Sequence, residues 1–122
     1  MMNDKKILIA DDAAFMRKMI RSTLSSAGYT EFIEAQNGAE AVKLFASENP
    51  DLVLLDVTMP EMDGLEALKR IMAISPSARV IMCSAIGQDA TIMNAIRIGA
   101  SDFIVKPFKK EQLADMVTNL IG

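Results

Sequence analysis

The sequence predicts an open α/β fold, a five-stranded parallel sheet with helices on both faces. Three observations carry this. Short apolar runs alternate with helix-like stretches five times along 122 residues, the signature of right-handed strand–helix–strand crossovers. The runs are continuously apolar rather than alternating, as strands covered on both faces are. Three of them stop on charge: Ile7-Leu8-Ile9-Ala10 at Asp11-Asp12, Leu52-Val53-Leu54-Leu55 at Asp56, and Phe103-Ile104-Val105 at Lys106. A buried strand has no reason of its own to end on a bare carboxylate. Neighbouring parallel strands would bring these ends to one edge of the sheet.

The first strand is expected over Lys6 to Ala10. A helix follows from about Ala13 to Ala27, with Asp12 as its N-cap and Gly28 as its stop. The second strand covers Glu31 to Ala35. The second helix begins after Asn37-Gly38, runs to about Ser47 and is closed by Asn49-Pro50. The third strand is Leu52 to Asp56, followed by a loop from Val57 to Asp63 that ends at Gly64. The third helix spans Leu65 to Ile74 and stops at Ser75-Pro76, because proline cannot continue it. Val80 to Ser84 form the fourth strand, and Asp89 to Ile98 the fourth helix, stopped by Gly99. The last pair is a strand over Asp102 to Val105 and a helix over Lys110 to Leu120. Nothing in the pattern marks a linker or a second domain, so residues 1–122 read as one domain.

Composition narrows the function. A chain of this size buries roughly two thirds of its unfolded surface and needs no disulfide or structural metal. Its net charge of −3, from 13 basic and 16 acidic residues, lacks the basic face that nucleic-acid binding requires. Cys83, the single cysteine, lies inside an apolar run and reads as a small buried hydrophobe. No stretch reaches the length of a membrane span, and no signal peptide precedes the first strand. The expected compartment is the cytoplasm. Histidine is absent, so any phosphohistidine donor is another molecule. Ten methionines serve first as core filling; Met16, Met19, Met59, Met62 and Met93 could add adaptable contact surface near a site.

In an open α/β sheet, ligands bind beyond the carboxyl ends of the strands at the switch point. Asp11, Asp12, Asp56, Ser84 and Lys106 all fall at such ends. Carboxylates ~4 Å apart repel by about 4 kcal/mol per pair at an effective dielectric of 20. Such a cluster raises a pKa or recruits a cation, and Mg²⁺ favours one or two carboxylates completed by water and phosphate oxygens. Asp56 is the best nucleophile, since a carboxylate can attack phosphorus to give an acyl phosphate. Mg²⁺ and Lys106 would supply positive charge, and Ser84 and loop N–H groups would donate to phosphoryl oxygens. Taken singly, Asp12 could be only a cap, Ser84 a strand-end hydroxyl and Lys106 a solvated surface charge.

Asp11-Asp12, Asp56 with Met59-Pro60 and Asp63-Gly64, Ser84-Ala85 and Lys106-Pro107-Phe108 together resemble the receiver domain of two-component response regulators. The likeness covers essentially the whole chain and is strongest to single-domain chemotaxis regulators. It implies a doubly wound, flavodoxin-like (βα)5 fold with strand order 2-1-3-4-5, and a cis Lys106-Pro107 bond. It further implies Asp56 as phosphoacceptor and Mg²⁺, or Mn²⁺ in its place, held by Asp12, Asp56 and the Thr58 carbonyl, with Asp11 acting through water. Lys106, Ser84 and Ala85 would contact the phosphoryl group. Phe103 would turn inward as Ser84 moves. Thr58 and Ile86 would tune the acyl phosphate's lifetime, and an apolar Ile86, unable to orient water, predicts slow self-hydrolysis. Output would leave through Ile92, Ile96, Phe103, Val105, Met116 and Asn119, some of which could equally be core.

The partners implied are a separate, CheA-like sensor histidine kinase and a FliM-like flagellar switch protein, with room for a phosphatase; nucleic acid and membrane are not implied, and a monomer is expected. A phosphorelay intermediate, passing phosphate to a histidine phosphotransfer protein, is the alternative within signalling. An Asp-nucleophile phosphatase of the haloacid-dehalogenase type is the alternative from another class. It needs a second Asp two residues after the nucleophile, where this chain has Thr58. The first strand–helix turn, Asp11-Asp12-Ala13-Ala14, lacks the glycine-rich dinucleotide fingerprint.

Overall fold

A computed structural model describes residues 3–122, with only the backbone of Asn3. Its elements run β1 (Asn3–Ala10), α1 (Ala14–Ser26), β2 (Tyr29–Ala35), α2 (Gly38–Glu48), β3 (Leu52–Asp56), α3 (Gly64–Ile74), β4 (Val80–Ala85), α4 (Asp89–Ile98), β5 (Asp102–Lys106) and α5 (Lys110–Ile121). The strands form one parallel sheet in the order β2-β1-β3-β4-β5, as expected. β1 and β2 begin earlier than the apolar pattern suggests, because Asn3 pairs with Tyr29 ahead of a register irregularity. Apolarity marks only the doubly covered part of a strand.

Strand parity divides the core into two layers. Ile7, Ile9, Leu52, Leu54, Ile81, Cys83 and Ile104 face α1 and α5, meeting Ile20, Leu24, Leu113 and Val117. Leu8, Ala10, Val53, Leu55, Val80 and Met82 face α2, α3 and α4, meeting Phe45, Leu68, Ile71 and Ala95. Every residue of β3 is buried, which explains its unbroken apolar run. Each Leu or Ile so buried contributes about 1.5–3 kcal/mol of transfer free energy. Cys83 is buried as anticipated.

Helix ends follow local chemistry. Asn37 Oδ1 accepts from the Glu40 N–H at 2.8 Å, and Glu40 Oε1 accepts from the Gln36 N–H at 3.1 Å, capping α2 from both directions. Asp63 Oδ1 caps α3 through the Glu66 N–H at 2.9 Å. The assignment of Asp12 as N-cap of α1 is incorrect. Ala13 holds that position without a side-chain cap, and Asp11 Oδ1 instead accepts from the Ala13 N–H at 2.9 Å. Asp12 is therefore left exposed and free of a capping role. Because the chain reverses direction across the sheet between β1 and β3, their carboxyl ends open a crevice. That is where Asp11, Asp12 and Asp56 lie.

Candidate functional site

Sheet register builds the site. Ala10 pairs with Leu55, so Asp11 and Asp56 leave adjacent strands at one level. Asp56 pairs with Cys83, and Ala85 with Lys106. Lys106 thus starts two residues higher, and its long side chain returns over the strand ends. Its Nζ lies 2.8 Å from Asp11 Oδ2 and 3.2 Å from Asp56 Oδ2. The other oxygen of each carboxylate takes a backbone donor, Ala13 N–H for Asp11 and Thr58 N–H, at 3.3 Å, for Asp56. Asp11, Asp12 and Asp56 each offer one oxygen within 4.8 Å of the others. The Lys106–Pro107 peptide is cis.

The electrostatics are strained in a useful way. Burial raises the Asp56 carboxyl above its ordinary range, opposed by the charge of Lys106 and reinforced by Asp11. For Lys106, burial works against the ammonium, but the hydrogen bond to Asp11 and the fields of Asp56 and Asp11 outweigh it and hold the group above its usual value. Burial likewise pushes the Cys83 thiol up to about 12, so it is chemically quiet. Three carboxylates facing one ammonium leave two formal negative charges uncompensated. An all-oxygen, hard donor set of this charge fits a divalent Mg²⁺ ion.

Two glycines let the surrounding loops approach. A Cβ on Gly64 would stand 2.0 Å from the Asp56 carbonyl oxygen, and one on Gly38 the same 2.0 Å from that of Met62. With glycine in place, the Gly64 N–H reaches the Val57 carbonyl at 2.8 Å and the Gly38 N–H that of Met62 at 3.0 Å. From the other side Arg17 braces the acidic turn after β1. Its Nη1 donates to the Asp11 carbonyl at 2.7 Å, while its Nε is held by Glu34 at 2.9 Å.

Ser84 is buried and lies one residue beyond the register partner of Asp56. Ala85 and Ile86 lead away from it and are exposed. They continue into an apolar groove of about 480 Å³ between α4 and β5, lined also by Ile92, Met93, Ile96, Phe103 and Val105. Phe103 points outward here, 41% exposed. Ile92 is mostly core, with only its edge in the groove. Met116 and Asn119 do not line this groove; they lie on the α5 side of the expected α4–β5–α5 face. α5 packs on the opposite side of the edge strand β5, where Met116 is half-buried against the α1–α5 core and Asn119 is exposed. Of the methionines, Met59 is core and Met93 is exposed in the groove.

Sequence reasoning did not single out Arg17, Gly38 or Gln88. Gln88 Oε1 accepts from the Ala85 N–H at 2.6 Å, and its Nε2 donates to Thr58 Oγ1 at 3.2 Å. A lone Gln or Arg carries no pattern; only the fold brings these side chains to the strand ends. Gly38 beside the Asn37 cap was read only as a helix start.

Residues 7–118 match the family model of the response regulator receiver domain, and the chain belongs to that family. Receiver domains are phosphoacceptor signalling domains that bind Mg²⁺ in an acidic pocket. Over 90% of its length the chain is 54% identical to the chemotaxis protein CheY of Listeria monocytogenes, covering 92% of that protein. It is 50% identical to that of Bacillus subtilis over 96% of this chain and 98% of the other. Among solved structures, a CheX–CheY complex with BeF₃ and Mg²⁺ from Borrelia burgdorferi contains a similar chain, with TM-score 0.89, 36% identity, and coverage of 97% of this chain and 90% of that one. No helix among the described residues is long and apolar enough to cross a membrane.

Proposed function

We propose that this protein is a CheY-like chemotaxis regulator, phosphorylated on Asp56 by a separate histidine kinase and read by a partner at the α4–β5 groove. The single observation that carries the reading is the Lys106 Nζ bridging two buried carboxylates, Asp11 and Asp56, beside the exposed Asp12. The lysine is placed to meet charge arriving on Asp56, and Asp56 is the buried carboxylate at the end of the central strand β3.

In the proposed transfer, an Asp56 carboxylate oxygen attacks the phosphorus of a phosphohistidine. A P–O bond forms as the P–N bond breaks, and the electron pair returns to the imidazole nitrogen of the donor. Asp11, Asp12, Asp56 and the Thr58 carbonyl are the residues that would hold Mg²⁺. The ion would neutralise phosphoryl oxygens that gain charge. Lys106 adds a fixed positive charge on the same side, and the Ser84 hydroxyl and the Ala85 N–H, one and two residues beyond the Asp56 register partner Cys83, are the donors proposed from β4. A CheA-like kinase and a FliM-like switch protein are the partners proposed from the likeness to CheY.

The test is incubation with acetyl phosphate and Mg²⁺ followed by intact mass. The parent should gain one phosphoryl group and Asp56→Asn none. Equal gain by both proteins overturns the assignment. Binding to a flagellar switch protein that increases on phosphorylation would support the chemotaxis role, and indifference to phosphorylation would sink it.

A further inference from the structure

The loop between β4 and α4 closes on itself through one side chain. Gly87, at φ +94°, turns the chain so that Gln88 folds back over the residues before it. Its carboxamide oxygen takes the Ala85 N–H at 2.6 Å, and its amide nitrogen reaches across to Thr58 Oγ1 on the β3–α3 loop at 3.2 Å. Gln88 is also the N-cap residue of α4, yet its side chain makes no cap bond. The oxygen that could satisfy the helix end is engaged at the strand end instead.

Resting on the reading of Asp56 as phosphoacceptor, and deepening it, we propose that Gln88 is an internal competitor for the phosphoryl site. Its neutral oxygen occupies the Ala85 donor that a phosphoryl oxygen on Asp56 needs, and phosphorylation must displace it. The exchange is favourable once phosphate arrives, because a hydrogen bond to an anionic oxygen is roughly twice as strong as one to a neutral oxygen. Before that, the Gln88 bonds tie the β3–α3 and β4–α4 loops together in the unphosphorylated arrangement. The same loop lines the α4–β5 groove through Ala85, Ile86 and Gly87. Release of Gln88 therefore frees one wall of the partner surface. Gln88 is a positioning residue that sets how readily the loaded state is reached.

The probe is beryllofluoride with Mg²⁺, titrated into the parent, Gln88→Ala and Asp56→Asn. Removing one competing hydrogen bond should tighten beryllofluoride binding by roughly 2- to 10-fold in Gln88→Ala. Binding that is unchanged or weaker in Gln88→Ala, while the parent binds and Asp56→Asn does not, overturns the competitor role and leaves the phosphoacceptor reading intact. Equal binding by Asp56→Asn overturns that underlying reading instead. Amide NMR supplies a second readout. The Ala85 resonance should differ between parent and Gln88→Ala when free and coincide when both are loaded. A difference that persists in the loaded state means Gln88 still holds Ala85 there, and refutes displacement.

Discussion

Replacing Lys106 by Met tests whether this lysine is the counter-charge of the site. At an effective dielectric of 20, an ammonium 2.8 Å from one carboxylate and 3.2 Å from another gains about 6 and about 5 kcal/mol of gross attraction. Most of that offsets the desolvation of three charged groups. Stripping one partner from a buried ion pair costs ~3–5 kcal/mol because it strands the other charge. The Lys106 side chain is 21% exposed while that of Asp11 is only 3%, which favours the low end. The expected loss is ~3 kcal/mol in EDTA near neutral pH, or a fall in Tm of about 10 °C. The pH dependence has a definite sign. Burial already raises the Asp56 carboxyl, and Lys106 pulls it down; without Lys106 it rises further. A carboxyl raised in the folded state contributes stability at low pH that is lost as pH rises through its folded pKa. The deficit of Lys106→Met should therefore grow with pH above the carboxylate range and close in acid. Saturating Mg²⁺ should narrow it, since a cation binding only the folded protein stabilises it by mass action. Urea denaturation across pH, with and without Mg²⁺, reads all three effects. A Lys106→Met protein as stable as the parent in EDTA near neutral pH would refute the reasoning.

The same linkage predicts that Asp56→Asn is more stable than the parent at neutral pH, because burial and the charge of Asp11 outweigh Lys106 on the parent's carboxylate, with the gain vanishing as pH falls and the parent's Asp56 protonates. Urea midpoints at neutral and acidic pH check it; a variant less stable than the parent at neutral pH contradicts it. Gly64→Ala should cost more than ~3 kcal/mol, because its Cβ would meet the Asp56 carbonyl oxygen at 2.0 Å and the rigid backbone of β3 cannot retreat. A loss under ~1 kcal/mol by chemical denaturation would show that the loop yields. Ile86→Glu should shorten the acyl-phosphate lifetime by less than the roughly 10²-fold at which well-positioned general bases begin, because Ile86 is 81% exposed and a carboxylate there can orient water without being held in place. Phosphoprotein decay that is unchanged or slower counts against this.

The fold was legible because both layers of the core write themselves into the strands as unbroken apolar runs, and the helix stops at Gly28, Pro50, Pro76 and Gly99 are local chemistry. The site was legible in its charges, since Asp11, Asp56 and Lys106 interrupt those runs at the point where register stacks them. Most of what escaped was long-range or neutral. Asp12 looked like a cap because capping is a local rule, but a competing local rule, the Asx turn, gave the Ala13 N–H to Asp11 instead. Ile96, Phe103 and Val105 line the groove while Met116 and Asn119 do not, a division that only the parity of the sheet makes, since α4 and α5 flank β5 from opposite sides. Gln88 contacts Thr58 across 30 positions in the chain, and an amide offers no charge to mark the meeting.

This division also orders the events a phosphoryl group would set in motion. Asp11 and Asp56 sit on rigid strand ends whose preceding residues Ala10 and Leu55 are buried, and Lys106 is held by its ion pairs to both, so they fix where charge arrives and move little. Ala85, Ile86 and Gly87 are exposed and carry few buried contacts, so local opening there is cheap. Ser84 joins the two regimes, buried on its own account but followed directly by the mobile-capable turn. Charge placed on Asp56 would therefore find adjustable donors at the end of β4, next to the wall of the groove in which Ile96, Phe103 and Val105 stand exposed. That stiffness gradient supports the proposed output through the α4–β5 groove.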